Sequence, residues 1–267
     1  MPLDQRTGVY YELHGAGQPL MIGLPLMASH TALFGAESAA MLRGYLDRLT
    51  DRYQVMLIDY PSIGASRDIA PHELTAERVC TDLLGVASAA GFARFAYWGD
   101  SWSGAVGLQL ATRSDRLDAL VIGGWPPLDG PYAEILAAAR RKLPNPEPSS
   151  LKVLRSPAQY AQWIHFYESL RDWPEQDAVA RIACPRMVYF GGDGDLVEAG
   201  IPVTIASNIR RQRRTLEGLE WTVCEVPGQG HGGMALPELA VSPVRAFLDA
   251  SLPNSSAASP DQHARRR

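Results

Sequence analysis

Short apolar runs alternate along the chain with longer stretches whose apolar residues return every third or fourth position. The runs fall at Val9 to Leu13, Leu20 to Leu24, Tyr53 to Asp59, Phe95 to Trp98, Ala119 to Gly123, Met187 to Phe190 and Trp221 to Val226, and they have strand character. Between them, Met41, Leu42, Tyr45, Leu46 and Leu49 share one helical face, as do Val79, Leu83, Val86, Ala87 and Ala90. Strand and helix in alternation predict an α/β fold, with a mainly parallel sheet flanked by helices.

The rhythm breaks after Trp125. Glycine, proline and aromatic residues lead into helical stretches near Tyr132 to Leu143 and Pro157 to Leu170, with no strand pattern before Met187. Residues 126–183 are therefore expected to form a small helical lid inserted into a core made of 1–125 and 184–252. A last helix is expected from Ser242, a good N-cap with Pro243 at the first helical position, to about Leu252. The tail at 253–267 has the composition of a disordered segment.

Composition narrows the partners. A net charge of -4 across 267 residues gives no long-range pull toward nucleic acid or an anionic membrane, so a small neutral or apolar molecule is the expected partner. Oligomeric state is not legible. The first residues lack a basic segment followed by an apolar run, and no stretch reaches the roughly 20 apolar residues that span a bilayer, so a cytoplasmic location is expected. Cys80, Cys184 and Cys224 are odd in number and far apart, which fits free thiols rather than a disulfide framework or a zinc site.

Chemistry enters at Gly99-Asp100-Ser101-Trp102-Ser103-Gly104, where a strand runs straight into a helical segment. A nucleophile raised on such a tight turn needs small neighbours two before it and two or three after it. Gly99, Ser103 and Gly104 supply them around Ser101, whereas a nucleophilic Asp100 would put Trp98 and Trp102 at the small positions. Ser101 is the expected nucleophile.

Two further strands end in turns that carry polar groups. Met187 to Phe190 runs into Gly191-Gly192-Asp193-Gly194-Asp195, which offers Asp195 as an orienting acid, with Asp193 and Asp129 as alternatives. Trp221 to Val226 runs into Pro227-Gly228-Gln229-Gly230-His231-Gly232-Gly233, where His231 is the one histidine so placed. Gly228 to Gly233 also matches G-x-G-x-x-G, but a dinucleotide site needs a following strand and acidic residue, and only one helix remains. Strand ends of a parallel sheet converge on one edge, so Ser101, Asp195 and His231 form a candidate catalytic triad in the order nucleophile, acid, base.

These features resemble the α/β-hydrolase superfamily, in its serine-nucleophile branch, over nearly the whole chain to about Leu252. Asp59-Tyr60-Pro61-Ser62-Ile63-Gly64-Ala65-Ser66 is similar to the family's D-x-x-G-x-G-x-S loop, and Gly228 to Gly232 to its G-x-G-H segment. The resemblance implies a three-layer sandwich with a lid, and needs no metal or organic cofactor. It places Gly23-Leu24-Pro25-Leu26-Met27 at the oxyanion loop, with Leu26, or Met27 one residue on, as one amide donor and Trp102 as the other.

Leu24, Leu26, Met27 and Trp102, with the lid residues Tyr160, Trp163, Phe166, Tyr167 and Trp173, would surround Ser101 with apolar surface. A serine hydrolase is therefore expected, acting on a carboxylic ester, lactone or thioester of a small to medium hydrophobic substrate. The same fold serves acyltransferases, C-C hydrolases, prolyl aminopeptidases and ligand receptors or accessory proteins without turnover, and these remain alternatives.

Overall fold

The computed structural model describes residues 3–252. The tail expected at 253–267 lies outside the described residues. Strands β1 (Tyr10–His14) and β2 (Gln18–Ile22) lead to helices α1 (His30–Phe34) and α2 (Ala39–Leu46), then to β3 (Tyr53–Asp59), α3 (Ala76–Ala89), β4 (Phe95–Asp100), α4 (Trp102–Arg113) and β5 (Leu117–Gly123). Helices α5 (Tyr132–Lys142), α6 (Pro148–Val153), α7 (Ala161–Glu168) and α8 (Glu175–Ala180) follow before the sheet resumes at β6 (Arg186–Asp193). A hairpin of β7 (Leu196–Glu198) and β8 (Ile201–Val203) precedes α9 (Ala206–Gly218), β9 (Trp221–Gly230) and α10 (Pro237–Ser251).

The main sheet runs in the order β1-β3-β2-β4-β5-β6-β9, with β1 antiparallel to β3 and every other pair parallel. Side chains alternate across it. On β4, Phe95 and Tyr97 join a core with α3, α4 and the helices after β5, while Ala96 and Trp98 join a core with α2 and α10. Both faces are covered, which is why the inner strands read as continuous apolar runs. The result is the expected three-layer α/β sandwich.

The carboxyl ends of the parallel strands are where the loops knit together. The carboxylate of Asp59, the last residue of β3, accepts from the Ser29 amide at 2.9 Å and the Ala65 amide at 2.8 Å, tying together the loops after β2 and β3. Helices α5 to α7 cover this edge. Arg155 donates to the Gly64 carbonyl at 2.5 Å, and the Ala76 amide donates to Ser169 Oγ at 3.0 Å, so the helical layer is fastened to the loop after β3 and to the start of α3.

Two local expectations need correction. The last helix begins at Pro237, not Ser242, and Pro243 lies inside it. An interior proline removes one helical hydrogen bond, but Ala240, Val241, Val244 and Leu248 are buried against the sheet and hold the helix through that gap. The β7–β8 hairpin has no counterpart in the apolar pattern. Among the described residues, no helix is long and apolar enough to cross a membrane.

Candidate active site

Ser101 sits between the last residue of β4 and the first of α4, with φ 55° and ψ -123°. That left-handed conformation is costly for a residue with a Cβ, and its neighbours hold it in place. The Asp100 amide donates to the Leu24 carbonyl at 2.8 Å, and the Ser101 amide donates to the Gly123 carbonyl at 2.7 Å. A Cβ on Gly99 would lie 2.4 Å from the Ser103 carbonyl oxygen, and one on Gly104 would lie 2.8 Å from Ile122 Cγ2. The turn is too tight for larger residues at either position.

His231 reaches this serine from the far strand. The β6–β9 ladder is regular up to Gly191 opposite Val226 and then slips, so that Asp193 faces Gly230. The extra residues on β9, glycine and proline among them, carry the next residue back over the sheet edge. His231 Nε2 stands 3.0 Å from Ser101 Oγ. Burial holds the imidazole below its ordinary pKa, with the Glu198 carboxylate acting weakly against it, so the ring is neutral and ready to accept a proton at neutral pH. Its other nitrogen, Nδ1, is buried without a hydrogen-bond partner among the described residues.

Asp195 is not that partner. Its carboxylate accepts from the Ile205 amide at 2.7 Å, the Ser207 amide at 3.1 Å and the Ser207 hydroxyl. These groups open α9, whose first amides have no acceptor inside the helix, and a carboxylate satisfies them well. Neither alternative takes its place. Asp129 binds Arg211 at 3.0 Å and Gln212 at 2.7 Å, and Asp193 is exposed at the end of β6.

Leu26 also falls away from its expected role. Its amide donates to the Gly23 carbonyl at 3.2 Å within the turn, and its side chain is fully buried on the α2 and α10 side of the sheet. Met27 is 4% exposed and packs into the opposite core rather than lining the cavity at Ser101. The residue of the loop after β2 that lines the cavity with Ser101 is Leu24, whose amide donates to Ser103 Oγ at 3.1 Å. Trp102, the first residue of α4, has an amide with no acceptor inside the helix and stands next to Ser101.

Ser103 Oγ is the centre of a buried hydroxyl cluster absent from the sequence reading. Tyr97 Oη lies 2.9 Å from it, Tyr60 Oη is in contact, and the two phenols are 2.7 Å apart. Strand alternation places Tyr97 on this face, but only the fold brings Tyr60 to it from the loop after β3. Ser103 thus meets the size limit of its turn and also ties the loop after β2 to β4.

A cavity of about 390 Å³ opens over Ser101 and His231. Leu24, Trp102, Trp125, Ile135, Tyr160, Trp163 and Tyr167 give it apolar walls, and Lys142 and Glu198 bring charge to it. Of the expected lining residues, Phe166 is fully buried beneath the wall, 5.0 Å edge-on to the Trp102 ring, and Trp173 packs on Tyr132 instead. A larger depression of about 690 Å³ lies at the opposite end of the sheet, between Arg94, Asp118 and Pro185, and contains neither Ser101 nor His231.

No family model matches the chain. It is 31% identical over 125 residues to RutD of Azorhizobium caulinodans, provisionally named a carbamate hydrolase, a match covering 46% of this chain and 43% of that protein. RutD of Caulobacter vibrioides, named likewise, is 32% identical over 127 residues, covering 47% of this chain and 45% of that protein. The matched segment spans less than half the length of either relative. Similarity to solved structures extends over about nine-tenths of the chain. An esterase from Thermogutta terrifontis superposes with a TM-score of 0.65 at 20% identity, covering 91% of this chain and 93% of that one. An α/β hydrolase from a Medee basin deep-sea metagenome gives 0.67 at 14% identity, covering 92% and 96%. The enol-lactonase of Burkholderia xenovorans gives 0.64 at 16% identity, covering 90% and 96%.

Proposed function

We propose that this chain, whose fold is that of the α/β hydrolases, is a serine hydrolase that cleaves a carboxylic ester, lactone or thioester of a small to medium hydrophobic substrate. The observation that carries the reading is the 3.0 Å approach of His231 Nε2 to Ser101 Oγ at the floor of an apolar-walled cavity. Names of the similar esterase and lactonase support the same class of bond.

Ser101 Oγ attacks the substrate carbonyl as its proton passes to His231 Nε2. The Trp102 amide donates to the oxyanion, and such a donor is worth about 3 to 4 kcal/mol in enzymes of this type. His231 then gives the proton to the leaving oxygen or sulfur, and an acyl-serine remains. Water, activated by the same imidazole, releases the acid and restores the serine. The cavity walls favour an apolar acyl or alkyl group.

A carbamate is a second reading, favoured by the likeness to the two RutD proteins. It uses the same nucleophile and oxyanion site, so one experiment addresses both. Aryl and alkyl esters, thioesters, lactones and carbamates of graded chain length are assayed with wild type and Ser101→Ala. The expected result is turnover of at least one class, with kcat/KM reduced more than about 1000-fold in the variant. Equal turnover by the variant contradicts the reading, and no turnover of any compound favours a ligand receptor.

A further inference from the structure

His231 accepts the serine proton on Nε2 only as the tautomer that carries its hydrogen on Nδ1. That hydrogen needs an acceptor, because Nδ1 is buried and unpartnered while Asp195 is spent on the start of α9. The ring edge faces Gly124, the residue after β5, whose φ is +56°. A Cβ at Gly124 would fall 3.1 Å from His231 Nδ1 and 3.6 Å from Asp100 Oδ1. The imidazole nitrogen and the Asp100 carboxylate therefore border one opening, which any side chain at position 124 would fill.

Asp100 is itself poorly satisfied. It is 5% exposed, and its one hydrogen-bond donor among the described side chains is the Tyr189 hydroxyl, at a long 3.3 Å. A carboxylate has room for several more donors.

We propose that Asp100 is the positioning carboxylate of this site, accepting the Nδ1 hydrogen of His231 across the opening at Gly124, directly or through one water. The inference rests on the Ser101–His231 reading above. As Ser101 forms its bond to the substrate carbonyl, its proton moves to Nε2, and Asp100 stabilises the resulting imidazolium without taking a proton itself.

The groups that face the pair are Tyr189 from β6, Tyr45 from α2 and Glu198 from β7. Burial pushes Asp100 up to about 7, with the Tyr189 hydrogen bond acting the other way. Burial holds His231 down, with Glu198 opposing. Asp100 consequently takes up a proton near neutrality, at about 7. Activity falls as the pH drops through this value. With Asp100→Asn only His231 titrates, so the acid limb moves below the ordinary imidazole value of 6.5. With Tyr189→Phe the carboxylate loses its donor, and the limb moves upward.

The test combines kcat/KM against pH with NMR titration of the His231 ring in wild type, Asp100→Asn, Tyr189→Phe and Asp195→Asn. Asp100→Asn is expected to lose at least about 100-fold in kcat/KM at pH 8, with the limb and the His231 titration both displaced to lower pH. Tyr189→Phe displaces them to higher pH. Asp195→Asn leaves both in place. The NMR arm needs no turnover, so it tests Asp100 even if the hydrolase reading fails. A His231 titration that is unchanged in Asp100→Asn and Tyr189→Phe, or displaced in Asp195→Asn instead, overturns the inference.

Discussion

One residue before Ser101, a carboxyl group sits almost without solvent, and burial raises it to about 7. The folded chain thus holds this proton more tightly than the unfolded chain, whose Asp100 titrates near 3.8. Its contribution to stability is full below 3.8 and is lost as pH rises through about 7. Asp100→Asn, isosteric and uncharged, should therefore gain stability relative to wild type by a few kcal/mol as pH is raised from acid to above neutrality. Urea denaturation across that range reads it, and a stability difference independent of pH would contradict a buried, ionising Asp100. Ser103 makes the reverse case. Ser103→Ala deprives the Leu24 amide of its acceptor and splits the contact with Tyr60 and Tyr97. A loss of about 1–3 kcal/mol is expected in the same assay, and a neutral effect would mean that the cluster contributes only packing.

At the scale of elements, α9 is opened by a carboxylate from another part of the chain. Asp195 is partly desolvated, but hydrogen bonds from Ser207 and from the Ile205 and Ala206 amides outweigh that and hold its pKa below 3.8. Its contribution is present above 3.8 and is lost as pH falls through the lowered value. Asp195→Ala should cost about 1 kcal/mol near neutral pH, as removal of a helix cap does, and Asp195→Asn should cost less. Loss of activity without loss of stability would return Asp195 to the catalytic site. The strands were legible in the sequence because both sheet faces are covered, so β3 and β4 carry almost no polar residue before their ends. The Ser101 turn was legible because its steric limits act on adjacent residues. What failed were assignments that depend on where a side chain turns after its strand. Asp195 follows the right strand but faces α9, and Leu26 lies in the right loop but spends its amide on Gly23. The opening at Gly124 joins β4, β5 and the loop after β9, and no local pattern encodes such a meeting.

Across the whole molecule, the sheet brings Leu24, Ser101, Gly124 and His231 to one edge, and helices α5 to α7 roof it. Trp163 of that roof lies 5.0 Å from the Trp102 ring and lines the cavity. Trp163→Ala should raise KM for the longer apolar substrates several-fold, with kcat little changed, because it removes wall surface and leaves the reacting groups untouched. An equal effect on all chain lengths would place the substrate elsewhere. The central claim is that Ser101 is a nucleophile activated by His231, and the most direct measurement is covalent capture. Intact-mass and peptide mapping after exposure to an alkyl fluorophosphonate should find one adduct on Ser101 in wild type, none in Ser101→Ala, and a much slower reaction in His231→Ala. An adduct on another residue, or capture at an equal rate without the imidazole, would contradict the account.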